Sequence, residues 1–196
     1  DLPALPAHLE EKLYDYQMRR HELALHLDTY TRGCLKLGTS ICKILWERDV
    51  RQLWDWNEEL GERVPSTRVF YEGPRMHTRS LRDVYFDPTV EHIQDQECII
   101  DRSVISRYEW KRGVRQGFYA DVKGVEEEDV EMPFGDSGET FRRENQVEIL
   151  EAWCKFDLDE DGIDEDVVIT IASRQAVVGA EPHPFWHGLK PFVVLK

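Results

Sequence analysis

The chain has 196 residues, 41% hydrophobic and 11% aromatic, so it can bury a sizeable core and is not of the intrinsically disordered class. Its 39 acidic and 25 basic residues give a formal net charge of −14, which disfavours a broad surface that binds nucleic acid tightly. No apolar run reaches the roughly 20 residues that cross a bilayer, and the first residues lack the charge and apolar length of a signal peptide.

An apolar stripe predicts one long N-terminal helix over residues 8–37, with room for one break. Pro3 and Pro6 precede this helix, and Gly38 ends it. The stripe residues recur at spacings of three, four and seven: Leu9, Leu13, Tyr16, Leu23, Leu27, Tyr30 and Cys34.

The remainder predicts a mostly antiparallel sheet with short helices, on which the long helix packs. The first strand is expected to extend from residues 39–46 into residues 47–65, which then become a loop. Gly73-Pro74 predicts a turn that separates two short strands. The other segments rich in β-branched and aromatic residues predict strands at 67–71, 76–79, 97–105, 146–156, 166–172, 175–179 and 192–195.

The clearest local signal is a strand that leads into a capped helix. Ser106 and Glu109 have capping-box spacing directly after the strand at 97–105, and Gly117 follows the expected helix. Residues 123–143 are acidic and short of apolar periodicity, so they predict an exposed loop. We expect a single α+β domain over residues 1–196, which lacks an initiator Met and is expected to be a piece of a longer chain.

Two residue types bear on core and assembly. The four cysteines have neither metal-ligand spacing nor a CxxC pair, which favours free thiols in apolar surroundings over disulfides. Most of the six tryptophans are expected to fill the core, with one or two available to anchor a subunit interface.

The stretch DLDEDGIDED at residues 157–166 resembles the first half of an EF-hand calcium loop. Asp157, Asp159 and Asp161 occupy the first three ligand positions, and Gly162 follows them. Val168 stands where the bidentate Glu would be, and the flanking segments are strands. A hairpin turn is therefore favoured, with a calcium site formed by the three aspartates as the alternative.

No catalytic constellation emerges from the remaining residues. His183 and His187 are four apart, but the prolines and glycine around them argue against the helix that would present both to one metal. Phosphate-binding glycine loops and the nucleophile-elbow motif are absent from the sequence. The sequence therefore predicts neither catalytic nor cofactor-binding residues.

The order of three segments resembles the portal (head-to-tail connector) proteins of tailed double-stranded DNA bacteriophages. LGTSICKILWERD at 37–49 is similar to that family's glycine, strand and Trp step after a long helix. Residues 71–122, beginning YEGPRMHTRSLRDVYFDP, are similar to its Gly-Pro, Asp-Pro and capped-helix region. Residues 147–195 are similar to its hairpin and its closing PHPFWHGLKPF segment.

The resemblance implies a non-enzymatic subunit of a dodecameric ring at one vertex of the phage head, with the matched residues in the outer wing. It implies other copies of the same chain, the major capsid protein, the terminase and head–tail adaptors as partners. DNA would pass through the channel without sequence-specific binding, which suits an acidic chain. The expected location is the virion, and the host cytoplasm during assembly; no membrane partner is expected.

Two alternatives of other classes stay open. A small metal-dependent hydrolase would use the Asp-rich turn and nearby histidines, and it predicts a bound divalent ion. A regulatory binding module would use the acidic segment 123–143. A ring-shaped oligomer would favour the portal interpretation over both alternatives.

Overall fold

The computed structural model describes residues 7–20, 22–59, 61–123, 125, 130–134, 139–143 and 145–196. Its helices are α1 (Ala7–Arg20), α2 (Leu23–Leu37) and α3 (Arg107–Gln116), and a short 3-10 turn covers Ile93–Asp95. The strands are β1 (Ser40–Asn57), β2 (Glu62–Arg79), β3 (Val84–Tyr85), β4 (Cys98–Ser106), β5 (Val130–Phe134), β6 (Glu139–Arg143), β7 (Gln146–Phe156), β8 (Glu165–Ala172), β9 (Ala176–Pro182) and β10 (Phe192–Leu195).

Helices and antiparallel sheets make the chain α+β, as predicted. The chain divides into two compact units, one of residues up to Arg79 with Pro191–Lys196 and one of Ser80–Lys190. Residues 1–196 would count as the expected single domain if the two units unfold together in one transition. The single domain stays a prediction. None of the described helices has the length and apolar character needed to span a membrane.

A single long N-terminal helix is not confirmed, because residues 8–37 form two shorter helices, α1 and α2, with the one break that the prediction allowed. Glu22, just before α2, has a φ of 51° in the left-handed region, which a continuous right-handed helix does not allow. The apolar stripe continues on both sides of this residue, so periodicity alone did not reveal the break.

The first unit has a three-stranded antiparallel sheet in the order β10-β1-β2. β2 runs through the predicted turn without interruption, since Gly73 pairs with Glu47 and Pro74 with Trp46. A sheet edge tolerates proline because no further strand needs its missing N–H. The prediction of two short strands separated by Gly73-Pro74 is therefore corrected to one 18-residue edge strand.

α2 packs on this sheet, as expected for the N-terminal helical region. Tyr30, Cys42 and Met76 form a buried cluster, with Leu23 packed against it. The Tyr30 hydroxyl donates a hydrogen bond to the carbonyl oxygen of Val193 on β10, at 3.1 Å. Burial, with a smaller contribution from Cys42, raises the pKa of Tyr30 to about 12, so the phenol stays protonated and the bond persists.

The second unit has a five-stranded antiparallel sheet in the order β3-β4-β7-β8-β9. The predicted capping box is confirmed: the Ser106 hydroxyl accepts from the Glu109 N–H, and the Glu109 carboxylate accepts from the Ser106 N–H. Gly117 ends α3 at a φ of 80°. The core of this unit contains Trp110, Val125, Val147, Ile149, Ala172 and Val178.

The predicted loop at residues 123–143 contains a two-stranded antiparallel sheet, with Val130 opposite Arg143. Val130, Met132 and Phe134 alternate with other residues, a period-two pattern that the surrounding acidic residues obscured. Residues 130–134 and 139–143 are therefore paired strands rather than loop. The sequence also predicts that the side chains of 123–143 are exposed. Most of these side chains lie outside the described residues, so this stays a prediction.

Candidate functional site

The stretch at residues 157–166 connects two paired strands, as predicted. β7 and β8 pair antiparallel up to Phe156 opposite Glu165, so the residues between them form the hairpin connection. Glu160 and Gly162 adopt positive φ angles of 61° and 89°, which the turn requires. Glycine has no Cβ to resist such an angle, and this explains its place in the acidic run.

Aspartate side chains hold the turn together through backbone N–H groups. The Asp157 carboxylate accepts hydrogen bonds from the N–H of Asp161 at 3.1 Å and from the N–H of Gly162 at 2.8 Å. Asp161 in turn accepts from the N–H of Ile163 at 2.8 Å. These are the local side-chain-to-backbone bonds that favour Asp in turns.

Four carboxylates of this turn form the one group among the described residues that could hold a metal ion. Oxygen atoms of Asp157, Asp159, Asp161 and Glu165 lie within 4.8 Å of one another, and Asp159 and Asp161 are exposed. The sequence prediction named the three aspartates and missed Glu165, which occupies the ninth position of the loop pattern. Glu165 also accepts from the N–H of Leu158 at 3.0 Å, so it takes part in the turn itself.

The structure places Val168 within β8, opposite Trp153, so its position in the pattern contributes no carboxylate. Hard oxygen ligands at such distances are of the type that calcium prefers. The same carboxylates also accept hydrogen bonds from backbone N–H groups of the tight turn, and these bonds need no ion. A calcium site at residues 157–166 stays the untested alternative to the predicted metal-free turn.

His183 and His187 lie in an aromatic cluster. The ring centroid of His183 lies 5.2 Å from that of Trp153, and the His187 ring stacks on Phe185 at 5.5 Å. His183 Nδ1 lies 3.1 Å from the Phe185 carbonyl oxygen, and His187 Nδ1 accepts from the Leu189 N–H at 3.0 Å. These contacts give both rings a packing role in the segment before β10.

A buried charge network joins β4 and β7, and sequence reasoning missed it. Glu148 accepts hydrogen bonds from both Arg102 and Arg174. Arg102 also donates to Asp83 at 3.1 Å. Burial opposes ionisation of Glu148, but its bonds and charge interactions with Arg174 and Arg102 prevail and hold the pKa of its carboxyl below the ordinary value.

The network depends on strand register rather than on any local motif. Glu148 lies opposite Val104 and Arg102 lies opposite Leu150, so the two charged residues are diagonal neighbours on one face of the sheet. Their side chains are 9% and 6% exposed. Because both charges are compensated within the protein, the network has the character of a structural ion pair.

The tryptophans depart from the expectation that most fill the core. Trp110 and Trp153 are buried at 2% exposure each. Four others lie on the surface, namely Trp46, Trp54, Trp56 and Trp186, with exposed fractions between 60% and 97%. The four cysteines are free thiols, and Cys42 is the buried one.

A known protein family matches most of this chain. No curated protein matches this chain. The family model described as phage SU10 portal protein matches residues 62–196, or 135 of the 196 residues. The match includes β2, the whole second unit with its acidic turn, and β10. The chain therefore belongs to the phage SU10 portal protein family.

Proposed function

We propose that this chain is a structural subunit of a phage portal ring through which DNA is packaged into the head and later ejected. The observation that carries the proposal is the family match over residues 62–196. Portal proteins are structural components of the phage particle, which accords with a place in the virion. We assign the residues described above to the outer wing region of a longer portal chain.

The proposed partners are other copies of the chain in a dodecameric ring, the major capsid protein, the terminase and the head–tail adaptors. The energy for packaging would come from the terminase, so the portal subunit itself would need no catalytic residues. The net charge of −14 accords with a subunit that does not retain DNA on its surface, because acidic surfaces repel phosphates. Assembly would take place in the host cytoplasm.

The acidic turn is proposed to act as a turn, with calcium as an optional occupant of its four carboxylates. A hydrolase would instead require a tightly held divalent ion at Asp157, Asp159 and Asp161. Isothermal calorimetry with calcium distinguishes the two: we expect no response, or one near about 1 mM, the weak end of protein calcium sites. Micromolar binding that Asp159→Ala abolishes would instead support the hydrolase alternative.

The packaging role is tested in the phage that encodes the chain. An amber mutation in its gene is expected to yield heads without packaged DNA when the phage infects a non-suppressing host. An amber mutation in a tail-fibre gene serves as the control, since heads should then fill normally. DNA-filled heads in the absence of this chain would contradict the proposed function.

A further inference from the structure

The outer half of the β1–β2 pair is a two-stranded ribbon with two unlike faces. β10 pairs with β1 only from Ser40 to Lys43, so among the described residues β1 has no other strand partner than β2 beyond that point. Directly paired residues of antiparallel strands share a face. An isolated two-stranded ribbon is at best marginally stable in water, so its outer half gains from being covered.

One face of the ribbon is charged and satisfied within the chain. Arg51 pairs with Asp49 at 2.7 Å, and Arg68 pairs with Asp55 at 2.8 Å. Both ion pairs lie on the face of the ribbon that is formed by the odd-numbered residues of β1. This face is suited to remain in water, because its charges are already compensated and well solvated.

The opposite face exposes two tryptophans and other apolar residues, beside polar ones such as Gln52 and Arg63. Trp54 and Trp56 are 66% and 62% exposed, and Val50, on the same face, is 44% exposed. Trp54 pairs with Pro65, and Val50 pairs with Val69, so β2 adds apolar surface to this face. We call Val50, Trp54, Trp56, Pro65 and Val69 the aromatic face of the ribbon.

The same unit contains an apolar groove of about 370 Å³. It lies between the two N-terminal helices and the inner half of the sheet. Its lining includes Met18, Leu23, Leu27, Ile44 and Met76. Leu27 and Ile44 remain 41% and 40% exposed, so the groove is open to an incoming side chain.

The aromatic face cannot fill the groove of its own chain. Trp54 follows Ile44 by ten residues along β1, and at roughly 3.3 Å per residue the two are separated by on the order of 30 Å. A continuous strand holds that separation. Trp54 and Trp56 therefore cannot enter the groove of their own chain, whose only nearby tryptophan among the described residues is Trp46, opposite Pro74 of the lining.

We propose that the aromatic face of the ribbon docks into the apolar groove of a second copy of this chain. The inference rests on the proposed function, since a closed ring needs two different patches on each subunit that meet head to tail. The aromatic face and the groove are two such patches. Tryptophans seated in a pocket are also the residues that most often dominate interface energies.

The available area fits one part of a larger subunit contact. With up to about 250 Å² per tryptophan, Trp54 and Trp56 at their exposed fractions leave roughly 300 Å² of aromatic surface in water. A standard interface buries about 800 Å² on each partner. The ribbon contact thus anchors the neighbour while other surfaces of the subunit supply the rest.

The test uses the full-length portal protein and its assembly measured by mass photometry. Trp54→Thr/Trp56→Thr keeps strand propensity and removes the aromatic anchors, and we expect the concentration needed for assembly to rise roughly tenfold or more. Leu27→Thr in the groove is expected to act in the same direction. Trp186→Thr removes a tryptophan that is 97% exposed in the other unit, and it should assemble as the wild type does.

Photocrosslinking keeps the test independent of any folding defect. Benzoylphenylalanine at position 54 is expected to form crosslinks to residues 14–27 of another copy, identified by mass spectrometry of mixed light and heavy protein. Rings that assemble normally with Trp54→Thr/Trp56→Thr, or crosslinks confined to the same chain or to a different protein, would overturn the docking. A wild-type protein that forms no rings would instead contradict the proposed function itself.

Discussion

Glu148 binds Arg174 with both of its carboxylate oxygens, at 2.7 and 3.1 Å, while Arg102 bonds the same carboxylate. Two cations thus share one buried acid in the middle of the second unit's sheet. Loss of this acid is costly, because the buried guanidinium of Arg102 would keep only the carboxylate of Asp83 as a charge partner.

Glu148→Gln is therefore expected to lower the free energy of unfolding by about 2 kcal/mol, since buried Arg102 would lose one of its two carboxylate partners and keep only Asp83. Urea denaturation followed by circular dichroism measures the change. Glu72→Gln is the matched control, because the Arg48–Glu72 pair is solvent-exposed at a separation of 3.5 Å. The control should change stability by no more than about 0.5 kcal/mol. Equal effects of the two substitutions would contradict the structural role of the network.

The same carboxylate predicts a pH dependence of stability. Its folded-state pKa is lowered from the ordinary value of 4.5, because the bonds and charges of Arg174 and Arg102 outweigh the opposing effect of burial. A lowered pKa contributes stability that is fully present above the unfolded-state value and is lost as the pH falls through the folded-state value. The stability difference between wild type and Glu148→Gln should therefore be largest above about pH 5 and shrink towards pH 3. A difference independent of pH over that range would argue against an ionised Glu148.

Gly113 gives a prediction about close packing in α3. A Cβ at this position would lie 2.5 Å from two ring carbons of Tyr119, which stacks on Trp110 with centroids 5.0 Å apart. Gly113→Ala should lower stability by about 2 kcal/mol, although alanine in a helix interior ordinarily stabilises. The check is a double-mutant cycle by urea denaturation. In a Tyr119→Ala background the substitution should become neutral or stabilising, and a cost that persists there would exclude the clash as its cause.

The acidic turn is expected to depend on Asp157 more than on its other carboxylates. Asp157→Ala removes the acceptor of two backbone N–H groups, and we expect stability to fall by about 1 kcal/mol. Asp164→Ala changes the same residue type in the same exposed connection and should be nearly neutral. The change in stability of both variants is measured by thermal unfolding, and a chelator is added so that no bound ion contributes. A greater loss with Asp164→Ala would contradict this account of the turn.

Sequence reasoning succeeded where the signal was local. The capping box of Ser106 and Glu109 specifies its structure within a few neighbours, and so do the β-branched and aromatic residues of β4, β7 and β8. The hairpin nature of the turn at 157–166 was predicted for the same reason. Asp and Gly between two strands satisfy a backbone requirement that does not depend on the rest of the fold.

Sequence reasoning failed where the outcome depended on a distant partner. Pro74 looks like a strand breaker until the register shows that β2 lies at an edge of its sheet. No glycine or proline at Glu22 marks the position of the helix break in the sequence. The partners of Glu148 are 46 and 26 residues away in the chain, so no spacing rule identifies them.

Electron microscopy of the purified full-length protein tests the central claim most directly. A portal subunit is expected to form closed rings with a central channel, and class averages should show about twelve repeats, as in the family that the sequence resembles. The rings should persist in the presence of a chelator, since no ion is needed in this account. Compact monomers that hold a divalent ion tightly would contradict the assignment of this chain to a portal ring.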